Sequence, residues 1–388
     1  MAGEVYTPIE MIRKLISFDT TSRDSNLALI NFVADYLSGH GVPSTLIPDP
    51  SGKKANLYAT LGPTDVPGIV LSGHTDVVPV DGQAWETDPF EMVEKQGRLY
   101  GRGTADMKSF FAIGLALVPD FMAQPLAIPV HFALSYDEEV GCLGAPRMIE
   151  RMGDLAAMPQ IVIVGEPTNM SVVNAHKGVY SFHTTVTGLE QHSSRIDQGV
   201  NAVQYAARII SFLANIANEM RDEREKPDSG FEPAYTTVHV GTVHGGTAQN
   251  IVPRECTFTW EYRLLPGEDP DEIKNRYDAF ITNEILPAMH NVDPDTGVET
   301  EVRAMVPGLV PEDGSPAEEL VLKLAQRNAT EVVAYGTEAG QFQSAGVPTV
   351  ICGPGDIAQA HKPDEFIEIS QVESCIGFMG RLKDVCVA

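Results

Sequence analysis

The sequence predicts an α/β catalytic domain, a mixed and mostly parallel sheet with helices on both faces, interrupted by a ferredoxin-like βαββαβ lid domain. Three observations predict it. Short apolar runs at 68–72, 128–135, 161–164 and 348–352 alternate with helix-like stretches at 107–122, 143–152, 316–327 and 371–384. Strands that are apolar throughout and separated by helices belong to parallel sheets covered on both faces. The middle of the chain instead shows half-exposed, alternating strands. Finally, 388 residues are well over the usual domain length of ~150, so a second unit has room. The boundaries read 1–177 and 309–388 for one discontinuous domain and 178–308 for the insertion.

Each element has a local cause. Thr7-Pro8-Ile9-Glu10 is a capping box with proline at the first helical position, and Ile9, Ile12, Leu15 and Ile16 follow at helical spacing. Leu27, Ile30, Ala34 and Leu37 form a second amphipathic stretch that stops at Gly39. In the insertion, 180–187 alternates as a strand, 202–217 is helical, and 236–244 and 255–263 are strands. A helix at 271–286 and a strand at 298–304 complete the order βαββαβ, which suits an antiparallel sheet with two helices on one face. The charged cluster at 221–226 reads as a solvated loop.

Composition excludes several function classes. Lys and Arg total 27 against 53 Asp and Glu, a net charge of −26 that repels phosphate backbones and anionic headgroups. Neither nucleic acid nor a membrane surface is an expected partner. No window reaches the ~18 uninterrupted apolar residues of a membrane span. The opening segment lacks a basic region followed by an apolar core, so no secretory signal is expected. The five cysteines are odd in number and scattered, without a disulfide framework or a CxxC pair, which fits a reduced cytoplasmic compartment.

The chemistry gathers after the apolar runs. In open α/β sheets the site lies beyond the carboxyl ends of the strands, where His74 of Gly73-His74-Thr75-Asp76 falls. Residues i and i+2 of an extended segment share a side, so Asp76 can lie beside His74 and hold its tautomer. Asp106 precedes a helix, where it would cap the helix or bridge two cations. Asp137-Glu138-Glu139 follows the 128–135 run, and three consecutive acids repel one another unless cations compensate them. Neighbours on extended chain point to opposite sides, so Glu138 and Glu139 can hold separate tasks. Glu166 follows a third run and His361 lies beyond a fourth. Any one of these positions taken alone reads as structural; their convergence on one predicted sheet does not. Nitrogen and oxygen donors without thiolate suit zinc, cobalt or manganese, and a carboxylate shared by two metals makes a two-metal hydrolytic site.

From Gly73-His74-Thr75-Asp76 through Gly101-Arg102-Gly103-Thr104-Ala105-Asp106-Met107-Lys108, Asp137-Glu138-Glu139 and Gly165-Glu166-Pro167-Thr168 to His361, the chain resembles a dinuclear metallopeptidase family. That family includes acetylornithine deacetylase, succinyl-diaminopimelate desuccinylase and glutamate carboxypeptidases. The resemblance implies two divalent ions, with His74 and Glu166 on one, Glu139 and His361 on the other, and Asp106 bridging. It makes Glu138 the general base and Asp76 the support of His74. The segment Gly188-Leu189-Glu190-Gln191-His192-Ser193-Ser194 is similar to an element whose histidine, here His192, reaches the catalytic site, usually of the partner subunit. The resemblance also implies a homodimer through the lid domain. Residues 245–253, with Asn250, and then Arg263 resemble the substrate-carboxylate region.

Within the family, Tyr335-Gly336-Thr337-Glu338-Ala339 and the stretch at 352–365 are similar to the acetylornithine deacetylase branch. The expected reaction is hydrolysis of Nα-acetyl-L-ornithine to acetate and L-ornithine, a step of arginine biosynthesis, with Glu338 receiving the substrate ammonium. The alternatives are a desuccinylase, another N-acyl-amino-acid hydrolase or a dipeptidase on the same site, and, from a different class, a metal-binding scaffold.

Overall fold

The computed structural model describes residues 4–387; residues 1–3, where the segment read for a leader begins, and residue 388 lie outside them. The chain divides into two compact units, one of Met1–Ala175, Leu309–Val332 and Thr337–Ala388, the other of His176–Gly308 and Val333–Gly336. Among the described residues no helix is long and apolar enough to cross a membrane.

The first unit is built on an eight-stranded mixed sheet. Its centre is four parallel strands in the spatial order Val130–Ser135, Ile69–His74, Ile161–Pro167 and Thr349–Gly353. All four are buried at every position. Successive side chains point to opposite faces, so complete burial means that both faces are covered. Ala55–Leu61 and Ser44–Pro48 extend one edge antiparallel, and Val172–His176 pairs antiparallel beyond Thr349–Gly353. These flanking strands, and a small sheet of Val93–Lys95, Arg98–Tyr100 and Phe366–Glu368, were not expected from the apolar runs. They are short or carry polar residues, so length and hydropathy do not mark them.

The helices that cover the sheet begin and end for local reasons. Thr7 Oγ1 accepts from the Glu10 N–H at 3.3 Å while the Glu10 carboxylate accepts from the Thr7 N–H at 2.8 Å, which completes the capping box before Pro8–Ile16. The helix expected at 107–122 is two, Lys108–Ala116 and Val118–Phe121. Pro119 lacks the N–H that a continuous helix would need there. The buried faces of Pro8–Ile16, Leu27–Gly39, Lys108–Ala116, Pro316–Ala325 and Ile369–Cys386 join the sheet in one apolar core.

The second unit has four antiparallel strands in the order Thr237–Gly245, Glu255–Leu264, Gly178–Thr187 and Gly297–Val306. The first strand in sequence lies between the third and the fourth, the ferredoxin-like arrangement. Burial alternates along Gly178–Thr187 and Glu255–Leu264, and the inward set packs under the 22-residue helix Ala202–Glu223. Phe182, Trp260 and Tyr277 stack at the centre, with ring centroids 4.3 and 4.6 Å apart in successive pairs. The second helix runs Glu272–Phe280, passes through a π-turn at Ile281–Ile285 and ends at His290. Pro287, just beyond the turn, cannot donate to the regular ladder.

Candidate active site

The parallel strands bring their carboxyl ends to one side of the sheet, and the chemistry-bearing residues lie there. His74 ends its strand, Glu138 and Glu139 follow Val130–Ser135, Glu166 is near the end of Ile161–Pro167, and His361 comes after Thr349–Gly353. Asp106 lies just before the helix Lys108–Ala116.

Asp106 divides its carboxylate between the two imidazoles. Its Oδ1 lies 3.0 Å from His74 Nε2 and its Oδ2 lies 3.3 Å from His361 Nε2. Glu166 flanks His74 at 3.7 Å, and Glu139 flanks His361 at 2.9 Å. Donor atoms of His74, Glu138 and Glu166 all lie within 4.8 Å of one another, and so do those of His74, Asp106 and Glu139. The first of these groups includes Glu138, whose side chain therefore faces the same space as the flanking acids.

The electrostatics are those of a buried acid cluster. Burial raises the Glu138 carboxyl to about 8 and that of Glu139 to about 7; Asp106 pushes both the same way, and Glu139 pushes Glu138 further up. Burial and Asp106 carry Glu166 well above its ordinary value. Asp106 is held below the usual carboxylate range despite burial, because both histidines hydrogen-bond to it. Burial opposes the charge on His74, yet Asp106, Glu166 and Glu138 together raise its affinity for a proton. Without a bound cation, protons and an imidazolium would offset the cluster's charge. Divalent cations offset it better, and the donors fit them: imidazole nitrogen and carboxylate oxygen, without sulfur.

Asp76 differs from expectation in which of its atoms does the work. His74 Nδ1 lies 2.9 Å from the Asp76 backbone carbonyl and 3.7 Å from the nearer carboxylate oxygen. A carbonyl can only accept, so Nδ1 carries a proton in either charge state of the ring. Nε2 faces the cluster, donating to Asp106 in the imidazolium and free to offer its lone pair to a cation in the neutral ring. The Asp76 carboxylate points across to the neighbouring strand end. There it accepts from the N–H groups of Glu138 at 3.1 Å and Glu139 at 3.3 Å, and from Ser22 Oγ at 2.8 Å.

Glu338 lies deeper than the other expected substrate-binding residues. It is buried, and its two carboxylate oxygens accept from Ser72 Oγ at 2.6 Å and Ser135 Oγ at 2.7 Å. Those serines precede His74 and Asp137 by two residues on adjacent strands. A carboxylate enclosed in this way, each oxygen held by a serine hydroxyl, joins two strand ends. Three further candidates lie in the inserted unit. His192 is exposed, and its Nδ1 accepts from the Ser194 N–H at 3.1 Å. Asn250 is exposed, and its carbonyl accepts from the Ser193 N–H at 3.0 Å. Arg263 is half-buried and forked onto Glu261 through Nε at 3.0 Å and Nη2 at 3.3 Å.

Sequence reasoning missed the residues behind these. Glu365 accepts from the N–H groups of Ala105 at 2.8 Å and Asp106 at 3.1 Å, and Arg102 neutralises it at 2.6 Å. Cys142 places its thiol 3.2 Å from Glu138 Oε1, and Lys54 pairs with Asp137. Glu365 closes the stretch at 352–365 that carries the family resemblance, four residues after His361, but no local pattern tied it to Ala105 and Asp106.

The family description "Peptidase family M20/M25/M40" matches residues 70–383. The acetylornithine deacetylase of Proteus mirabilis is 34% identical over 390 residues, covering 98% of this chain and 97% of that one. The acetylornithine deacetylase of Myxococcus xanthus is 35% identical over 382 residues, covering 95% of each. Among solved structures, an M20 family metallo-carboxypeptidase from Sulfolobus solfataricus superposes with a TM-score of 0.75 at 17% identity, covering 98% of this chain and 99% of its own. An aminopeptidase PepT from Bacillus cereus gives 0.70 at 20% identity, covering 96% of each. At such identities the two structures show a common fold. The family match spans most of the chain and the two deacetylases align over nearly all of it, and on that ground this chain belongs to peptidase family M20/M25/M40.

Proposed function

We propose that the protein is a metal-dependent amidohydrolase that removes the acetyl group of Nα-acetyl-L-ornithine: amide plus water gives acetate and L-ornithine. The observation that carries the reading is Asp106, which offers one oxygen to each of two histidine–carboxylate sets beside the separate acid Glu138. His74 and Glu166 would hold one cation, His361 and Glu139 the other, with Asp106 common to both. Zinc suits these donors, with cobalt or manganese as alternatives. When bound, such ions polarise an amide carbonyl and lower the pKa of water.

Glu138 then takes the proton of the attacking water and passes it to the leaving amine. His192 stabilises the tetrahedral oxyanion, an effect typically worth ~3–4 kcal/mol per donor. Arg263 and Asn250 receive the substrate α-carboxylate, for which the planar guanidinium fork is suited. We assign a homodimer through the inserted unit, with His192 serving the partner's site, a cytoplasmic location and a role in arginine biosynthesis. The names of the curated relatives support the choice of substrate.

With Glu338 enclosed, no acid is assigned to the ornithine ammonium, so the substrate panel must be broad. Acetate or amine release should be measured from acetylornithine, neutral N-acetyl amino acids, succinyl-diaminopimelate and dipeptides, with and without chelator. Preference for acetylornithine, lost on chelation, is the expected result. Preference for another member would reassign the substrate, and turnover unaffected by chelator would end the metal-dependent reading.

A further inference from the structure

Of the two imidazoles that face Asp106, one is enclosed and the other is not. The His361 side chain is 54% exposed against 1% for His74, so packing alone does not fix where its Nε2 points. The His361 backbone is also in the left-handed region, at φ 62°, a conformation uncommon for a residue with a Cβ.

The restraint comes from Gln83. Its Nε2 donates to the His361 carbonyl at 3.0 Å. Its Oε1 accepts from Arg102 Nη2 at 2.6 Å and from Trp85 Nε1 at 3.0 Å. Guanidinium and indole only donate, so the amide has one orientation, with its nitrogen on His361. Arg102 is in turn paired with Glu365, whose other oxygen accepts from the N–H of Asp106. A continuous line of hydrogen bonds therefore joins the backbone of Asp106 to that of His361, through Glu365, Arg102 and Gln83. The side chains at its two ends meet at 3.3 Å. The loop is tied once more, by the Glu86 N–H donating to Asp364 Oδ1 at 2.9 Å.

We propose that Gln83 is a positioning residue for His361, whose amide sets the place of Nε2 relative to Glu139 and Asp106 and so governs the affinity of the second cation. The inference rests on reading His361 and Glu139 as ligands. Its rival is that Gln83 only satisfies Arg102 and Trp85. The two ends of the amide separate these roles. Gln83→Glu keeps an acceptor for Arg102 and Trp85 but turns a lone pair toward the His361 carbonyl; Gln83→Ala removes both ends.

The metal-free full chain and both variants are titrated with zinc by calorimetry, with stoichiometry from elemental analysis and the thermal midpoint of each metal-free form. The wild type should bind two ions. Both variants should bind the first as the wild type does and the second about 10–100-fold more weakly, the usual effect of losing a residue behind a metal ligand. The metal-free midpoint of Gln83→Glu should stay near the wild-type value. Subsaturating zinc should lower kcat at little-changed KM, and saturating zinc should restore it. Wild-type affinity for the second ion in Gln83→Glu would overturn the proposal and leave Gln83 serving Arg102 alone. Equal weakening of both ions would overturn it too, as a general effect on the fold. Fewer than two ions on the wild type would instead bring down the two-metal reading, and this inference with it.

Discussion

The carboxylate of Asp76 accepts the backbone N–H of Glu138 at 3.1 Å, so the acid two residues after one strand's terminal segment holds the acidic turn that follows its neighbour. The adjacent Glu139 N–H reaches the same carboxylate at 3.3 Å. The two acids of that turn are thus placed through their backbone. Hydrogen bonds to a charged acceptor are worth ~1.5–3 kcal/mol each. Asp76→Ala should lower kcat/KM roughly 100-fold, or ~2.7 kcal/mol, while the residue-76 carbonyl continues to orient His74. Steady-state kinetics check this, and a loss below about threefold would remove Asp76 from the positioning of Glu138.

Metal removal separates the two neighbouring acids. Chelation should abolish hydrolysis and zinc or cobalt should restore it. Glu138→Gln should keep two ions by elemental analysis yet lose nearly all turnover, whereas Glu139→Ala should lose metal. A metal-free Glu138→Gln protein would contradict the assignment of Glu138 as a base and not a ligand.

Subunit mixing addresses His192. If it serves the partner's site, His192→Ala mixed with Glu138→Gln should recover partial activity, because one hybrid site holds both intact groups. Absence of recovery after subunit exchange has been verified by mass would place His192 in its own subunit's chemistry or outside it.

Glu338 should behave as a structural tie. Removing it takes the acceptor from the buried Ser135 hydroxyl, while Ser72 Oγ keeps the Ala133 carbonyl at 3.3 Å, so Glu338→Ala should lower unfolding stability by ~1–3 kcal/mol. Its loss of kcat/KM should be the same for acetylornithine and acetylmethionine, whose side chain is uncharged. A selective loss with acetylornithine would reinstate Glu338 as the ammonium receptor.

His131 makes the first unit sensitive to acid away from the acid cluster. Burial depresses its imidazole to about 4, with Nδ1 on Thr60 Oγ1 at 2.9 Å and the ring stacked on Tyr58. The unfolded chain titrates near 6.5. Between those values the unfolded state binds the proton and the native state does not, so stability rises with pH and is lost as pH falls from ~6.5 toward 4. The contribution at neutral pH is ~3 kcal/mol. Denaturant unfolding of the metal-free protein should fall less steeply with acid in His131→Gln than in the wild type; parallel curves would disprove the contribution.

Whatever depends on residues near one another in the chain was legible in the sequence. Apolar runs of strand length placed the four central strands, because strands covered on both faces have no polar side to interrupt them. The Thr7–Glu10 box set the first helix, and alternation marked the strands of the inserted unit. Strand ends then located His74, the Glu138–Glu139 pair and Glu166 on one side of a sheet. Only the tertiary structure decided which partners reach them. Glu338 meets Ser72 across 266 residues and Ser135 across 203, and Gln83 meets the His361 carbonyl across 278. Spacing also suggested that Asp76 would support His74 with its carboxylate, whereas the backbone carbonyl does so. The physical reason is common to all three. A hydrogen bond is set by the direction of atoms a few ångströms apart, and that direction depends on which strands and loops become neighbours, which no local pattern of residue types encodes.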